Sequence, residues 1–273
     1  MIEEQKGIAE AEQILEELGF DLLPIIPSEV VDTISSSDFN VVLEAHEFSS
    51  EKILGKAQGN DSAALIYINK NIPDQRRFNF TAAHEIGHVC MHIMPQKKML
   101  FECGSKELTN PFNDPVERQA NGFASGLLMP KKLISSITNG EINWENIYAI
   151  SSKCESSLEA TFRRMLLLNN EPFALVIHQN GTFKRFVSSQ NFDFFINNSP
   201  LSTDQRELLV NVTEFPYPDD FDDFDEVDAM DWVNPHSKGL TIERLYVSSI
   251  LLDKGFSYSL VTYDDDCLSE EYE

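Results

Sequence analysis

Residues Phe80–His92 read FTAAHEIGHVCMH, and the centre of that stretch, His84-Glu85-Ile86-Gly87-His88, decides how the chain is read. Residues four apart on an α-helix point about 40° apart around its axis. His84 and His88 therefore aim two imidazoles at one point, which suits a tetrahedral Zn2+. Glu85 lies beside that face. Its carboxylate can take a proton from a water whose pKa the metal has lowered, making a nucleophile able to attack an amide at neutral pH. H-E-x-x-H on a helix thus points to metal-dependent peptide hydrolysis. Thr81-Ala82-Ala83 is small and helix-compatible, Asn79 is the expected N-cap, and no proline interrupts before Pro95.

Upstream, Ala64–Asn69 (ALIYIN) is rich in β-branched and aromatic residues and predicts a strand, with a turn at Gly59-Asn60-Asp61 before it. Phe39–Glu44 and Lys52–Lys56 are shorter strand candidates. Residues 3–18 carry Ile8, Ala11, Ile14 and Leu15 at helical spacing, with Gly19 as a stop, and Ser28 is the expected cap of a short helix to Ile34. The motif helix therefore follows a small sheet, across a polar loop, Asn71–Phe78.

Two histidines leave a catalytic zinc short of its usual third protein ligand. On a regular helix His92 lies roughly 12 Å from His84 along the axis and about 80° around it. One helix cannot bring all three to one ion, so His92 reads as a structural or supporting residue. Cys90, about 200° around the axis from His88, reads as core packing. Downstream, DPVERQANGFASGLLMP (residues 114–130) predicts a helix with Asp114 as N-cap and Pro115 at its first position. Glu117, Ala120, Asn121, Ala124, Leu127 and Leu128 share one side. Glu117 is either the third ligand or a first-turn acid in a capping box with Asp114.

The pair RRFNFTAAHEIGHVCMH and ERQANGFASGLLMP resembles the ImmA/IrrE family of metallopeptidases, which joins an H-E-x-G-H segment to a downstream E-x-x-A-N-x-F-A helix. The resemblance covers about residues 1–170. It implies that His84, His88 and Glu117 bind zinc and that Glu85 is the catalytic base. It also implies a substrate class, a helix-turn-helix repressor of the XRE type, cleaved to relieve repression. The alternative is a non-catalytic regulator that binds a partner protein or DNA with the same fold.

Beyond Pro130, Trp144–Ser151 and a segment capped by Ser156-x-x-Glu159 form a helix-turn-helix-like pair. Its Arg163 and Arg164 are offset by Glu155 and Glu159, so packing is the main reading and DNA binding the lesser. From Pro172 the pattern turns to β. Phe173–Ile177, Asn180-Gly181 and Thr182–Val187 predict a type I′ hairpin. Leu245–Leu252 and Phe256–Tyr263 predict a second one. Larger relatives carry a GAF-like sensor here. Between the hairpins, Asp219–Asp231 holds eight acids in thirteen residues and reads as a solvated loop, with Phe221 and Phe224 available to a basic partner.

The expected architecture is α+β. A zincin-like metallopeptidase domain spans 1–135, a helix-turn-helix-like segment 136–170, and a β-rich C-terminal domain with the acidic loop, GAF-like in kind, 171–273. Lys and Arg number 21 against 45 Asp and Glu, a net charge of −24, which repels nucleic acid and anionic membrane. No apolar run is long enough to span a bilayer, and the acidic N-terminus lacks signal-peptide character. Four scattered cysteines fit a reducing cytoplasm. The oxyanion donor is open among Arg77, Tyr67 and His92.

Overall fold

The computed structural model describes residues 2–96, 100–104, 114–213, 217 and 221–270. It forms two compact units, residues 1–139 with 149–161, and residues 140–148 with 162–273. Among the described residues, no helix is long and apolar enough to cross a membrane.

The first unit is built on a four-stranded sheet, β1 (Asn40–His46), β2 (Ile53–Gly59), β3 (Ala63–Asn69) and β4 (Leu100–Gly104), in the order β1-β3-β2-β4. β1 and β3 run parallel, and the other pairs are antiparallel. Alternation places Ala64, Ile66 and Ile68 of β3 on one buried face, beside Gly59, Ala57 and Gly55 of β2. Helix α3 (Gln75–His88) packs on that face. Its N-cap is Asp74, whose carboxylate accepts from the Arg77 amide at 2.9 Å. Asn79, expected as the cap, instead lies buried inside the helix and donates to Glu155 Oε2 at 3.2 Å. The helix starts earlier because Asp74, after Pro73, supplies a better-placed acceptor than Asn79 does. Similarly, Pro27 at the first position opens α2 (Pro27–Ile34), with no side-chain cap, and Ser28 falls inside it.

Helix α1 (Ile2–Leu18) lies against α4 (Pro115–Leu128) with backbone nearly touching backbone. A Cβ on Gly122 would fall 2.0 Å from the Glu4 carbonyl oxygen, and one on Gly7 would fall 2.0 Å from that of Gln119. Only glycine fits such a crossing. Gly122→Ala is therefore expected to destabilise the protein by about 3 kcal/mol, the upper range for overpacking. Urea unfolding measures it; a loss below about 0.5 kcal/mol would mean the helices part easily.

The second unit centres on a sheet ordered β6-β5-β10-β9-β7, formed by β5 (Phe173–Gln179), β6 (Thr182–Ser188), β7 (Leu209–Asn211), β9 (Arg244–Leu251) and β10 (Phe256–Thr262). The first hairpin turns at Asn180 (φ 51°) and Gly181 (φ 74°), as a type I′ turn requires. β5 is buried on both faces along Phe173–His178, which explains its unbroken apolar run. Trp144 is fully buried and donates from Nε1 to the Ser248 carbonyl at 3.3 Å. Asp219 and Asp220 lie outside the described residues. The acidic stretch beyond them is not wholly loop, because β8 (Asp225–Asp228) pairs antiparallel with β9. Val227 turns inward while the acids around it stay exposed, so an edge strand tolerates the charge.

Trp144–Cys154 and Leu158–Leu166 are both helical. The second is capped by Ser157, which accepts from Ala160 N at 3.2 Å, and not by Ser156. Ser156 is buried and bonds to Thr161 Oγ1 at 2.7 Å. Arg164 is only 2% exposed and is not presented to a ligand.

Candidate metal centre

His84 and His88 are fully buried on α3, with their Nε2 atoms 3.0 Å apart. Glu117 stands in the first turn of α4, after Asp114, which caps that helix by accepting from Val116 N at 2.8 Å. From there Glu117 reaches across to the two histidines. Its Oε2 lies 3.2 Å from His84 Nε2 and its Oε1 3.5 Å from His88 Nε2. The ligand atoms of His84, His88 and Glu117 all fall within 4.8 Å of one another. Two imidazole nitrogens and a carboxylate, three potential donors of lone pairs, face a common point. That donor set fits a zinc-type ion.

Burial depresses the pKa of His88 to about 4, against the pull of the Glu117 carboxylate. His88 thus stays neutral, as a ligand must. Burial pushes Glu117 upward, but its polar contacts with the His84 and His88 rings outweigh it and hold the carboxyl well below the usual range. Protons therefore favour the unfolded chain. Unfolded His88 takes one up below about pH 6.5, whereas folded His88 resists until about 4. The stability present above pH 6.5 is expected to fall through that window by up to about 3 kcal/mol in metal-free protein. Urea midpoints at pH 7 and 4.5 test this; equal midpoints would mean His88 is not desolvated.

Glu85 is fully buried between α3 and β2. Gly55 makes room for it, since a Cβ there would meet Glu85 Oε1 at 2.5 Å. After His88 the helix widens into a π-turn, Val89–Ile93. The helix is therefore not regular past His88, while His92, read as a structural or supporting residue, lies beside His88 and outside the converging trio. His92 Nδ1 comes within 3.2 Å of His88 Nδ1, while His92 Nε2 bonds to Gln119 Oε1 at 2.8 Å. With both nitrogens engaged, His92 is not offered as an oxyanion donor. Tyr67 lies on the sheet face opposite Ile66 and Ile68, turned from α3 and beside His46. Arg77 is exposed in the first turn of α3. Neither is brought to the centre.

Asn121, Gln119, Glu3 and Gly55 escaped the sequence reading as site residues. Asn121 Oδ1 bonds to His84 Nδ1 at 2.8 Å. Its place four residues after Glu117 on one helical face was the signal available.

Against known families, residues 37–180, more than half the chain, match the peptidase family described as IrrE N-terminal-like domain. The chain belongs to the ImmA/IrrE family of metallopeptidases. The match holds the sheet, both metal-facing helices and the start of the second unit. No curated protein sequence matches the chain. A Mycobacterium tuberculosis transcriptional regulator shares its fold, with a TM-score of 0.51 and 13% identity over 94% of this chain and 87% of the other.

Proposed function

We propose that this member of the ImmA/IrrE family is a zinc endopeptidase with His84, His88 and Glu117 as ligands and Glu85 as general base. The convergence of three donors from two helices carries the reading. Zinc held there would act as a Lewis acid on the scissile carbonyl and on the attacking water. Glu85, buried and seated against Gly55, takes the proton of that water and passes it to the leaving amine. Asn121 orients His84 through Nδ1. The reading places the protein in the cytoplasm, consistent with free Cys90, Cys154 and Cys267.

The substrate in this reading is an XRE-type repressor, cleaved at a single site so that gene expression is released. A charge of −24 would speed encounter with the basic DNA-binding face of such a repressor. The second unit is read as a sensor of the GAF kind; its central sheet, buried on both faces at β5, supports a folded module rather than a tail. Incubating the protein with zinc and the repressor encoded beside it, with Glu85→Gln as control, tests the reading. One specific cut is expected from the wild type alone, with little digestion of casein. Equal loss of repressor in both samples would contradict peptidase action, and repression relieved without cleavage would favour a binding-only regulator.

A further inference from the structure

A chain of hydrogen bonds leaves the back of His88 and ends on the first turn of α1. His88 Nδ1 meets His92 Nδ1 at 3.2 Å, and His92 Nε2 meets Gln119 Oε1 at 2.8 Å. The Gln119 amide nitrogen donates to Glu3 Oε2, and Glu3 Oε1 accepts from Lys6 at 2.8 Å. The glycine crossing of α1 and α4 brings these groups together, since Gly7 rides on the Gln119 carbonyl itself. Glu3 lies outside the matched residues 37–180.

The direction of each bond follows from the Glu3 end. A carboxylate only accepts, so the Gln119 NH2 must face Glu3 and its carbonyl must face His92. A carbonyl also only accepts, so His92 Nε2 must carry the hydrogen. Neutral imidazole has one N–H, which leaves His92 Nδ1 as an acceptor. His88 Nδ1 is then the donor, and His88 Nε2 is bare. That bare nitrogen is the atom that faces His84 Nε2 and Glu117.

We propose that Gln119, anchored by Glu3, is a positioning residue. Acting through His92, it holds His88 in the tautomer that presents Nε2 to the metal. The proposal rests on the metal-centre reading above and adds that the N-terminal helix completes the site. Outer partners of ligating histidines are worth about 10–100-fold in metal affinity.

Three measurements on full-length protein test it. In zinc-loaded, 15N-histidine-labelled protein, long-range 1H–15N correlations are expected to report His92 as the Nε2–H tautomer. Gln119→Leu, which removes the acceptor, is expected to lower zinc affinity about 10–100-fold in chelator competition. The exchange of Glu3→Gln with Gln119→Glu keeps an acceptor facing His92 and a donor between the helices, and should return affinity to near the wild-type value. Thermal unfolding identifies any variant that fails to fold. Unchanged affinity in Gln119→Leu, no recovery in a folded exchange variant, or His92 as Nδ1–H would each overturn the proposal. Wild-type protein that binds no zinc would instead overturn the metal-centre reading, and the His92 tautomer, read in metal-free protein, would still decide the direction of the chain.

Discussion

Glu85→Gln is expected to cut turnover about 10²–10⁴-fold while leaving zinc content unchanged. Glutamine has the shape of glutamate, so the fit against Gly55, where the neighbouring oxygen leaves no room for a Cβ, is preserved. What it lacks is a site for the proton of the attacking water. Glu85 is not among the three side chains that converge, so the ion should remain. Rates on a cleaved repressor, paired with elemental analysis of the same samples, separate the two effects. Activity within tenfold of wild type would remove Glu85 from the base role, and lost zinc would make it a ligand.

Glu117→Ala should have the opposite signature. Its carboxylate reaches both histidines from a separate helix, at 3.2 and 3.5 Å, and supplies the only negative charge in the converging trio. Without it two neutral imidazoles remain, and zinc affinity is expected to fall by more than the roughly 100-fold that loss of an outer partner costs. Chelator competition at pH 7 reads this out. Because Glu117 stands at the capped start of α4, with Asp114 holding the cap, the helix itself should persist, and circular dichroism should show little change. Zinc held as tightly as in wild type would assign the third ligand elsewhere.

Much of this centre was legible in the sequence because its parts obey helical periodicity. His84 and His88 follow from a spacing of four, and the start of α4 from Asp114-Pro115. The pairing of Glu117 with the histidines did not follow from spacing, since the two helices are separate; the family resemblance suggested it. What stayed hidden depends on distant contacts. Asn79 looked like a cap because nothing local reveals Glu155, 76 residues on, as its partner. The π-turn at Val89–Ile93 stayed hidden because it leaves no periodic trace in five residues such as VCMHI. Glu3 and Gln119, 116 residues apart, meet only because glycines let two helices touch. In the acidic stretch, composition spoke for solvent, and the single inward Val227 was too little to mark a strand.

The most direct test of the metal centre is X-ray diffraction at the zinc absorption edge, from crystals of protein carrying one equivalent of zinc. One anomalous peak is expected, about 2.0–2.2 Å from His84 Nε2, His88 Nε2 and a Glu117 oxygen. A peak bound by other residues, or none between these three in zinc-loaded protein, would contradict the assignment.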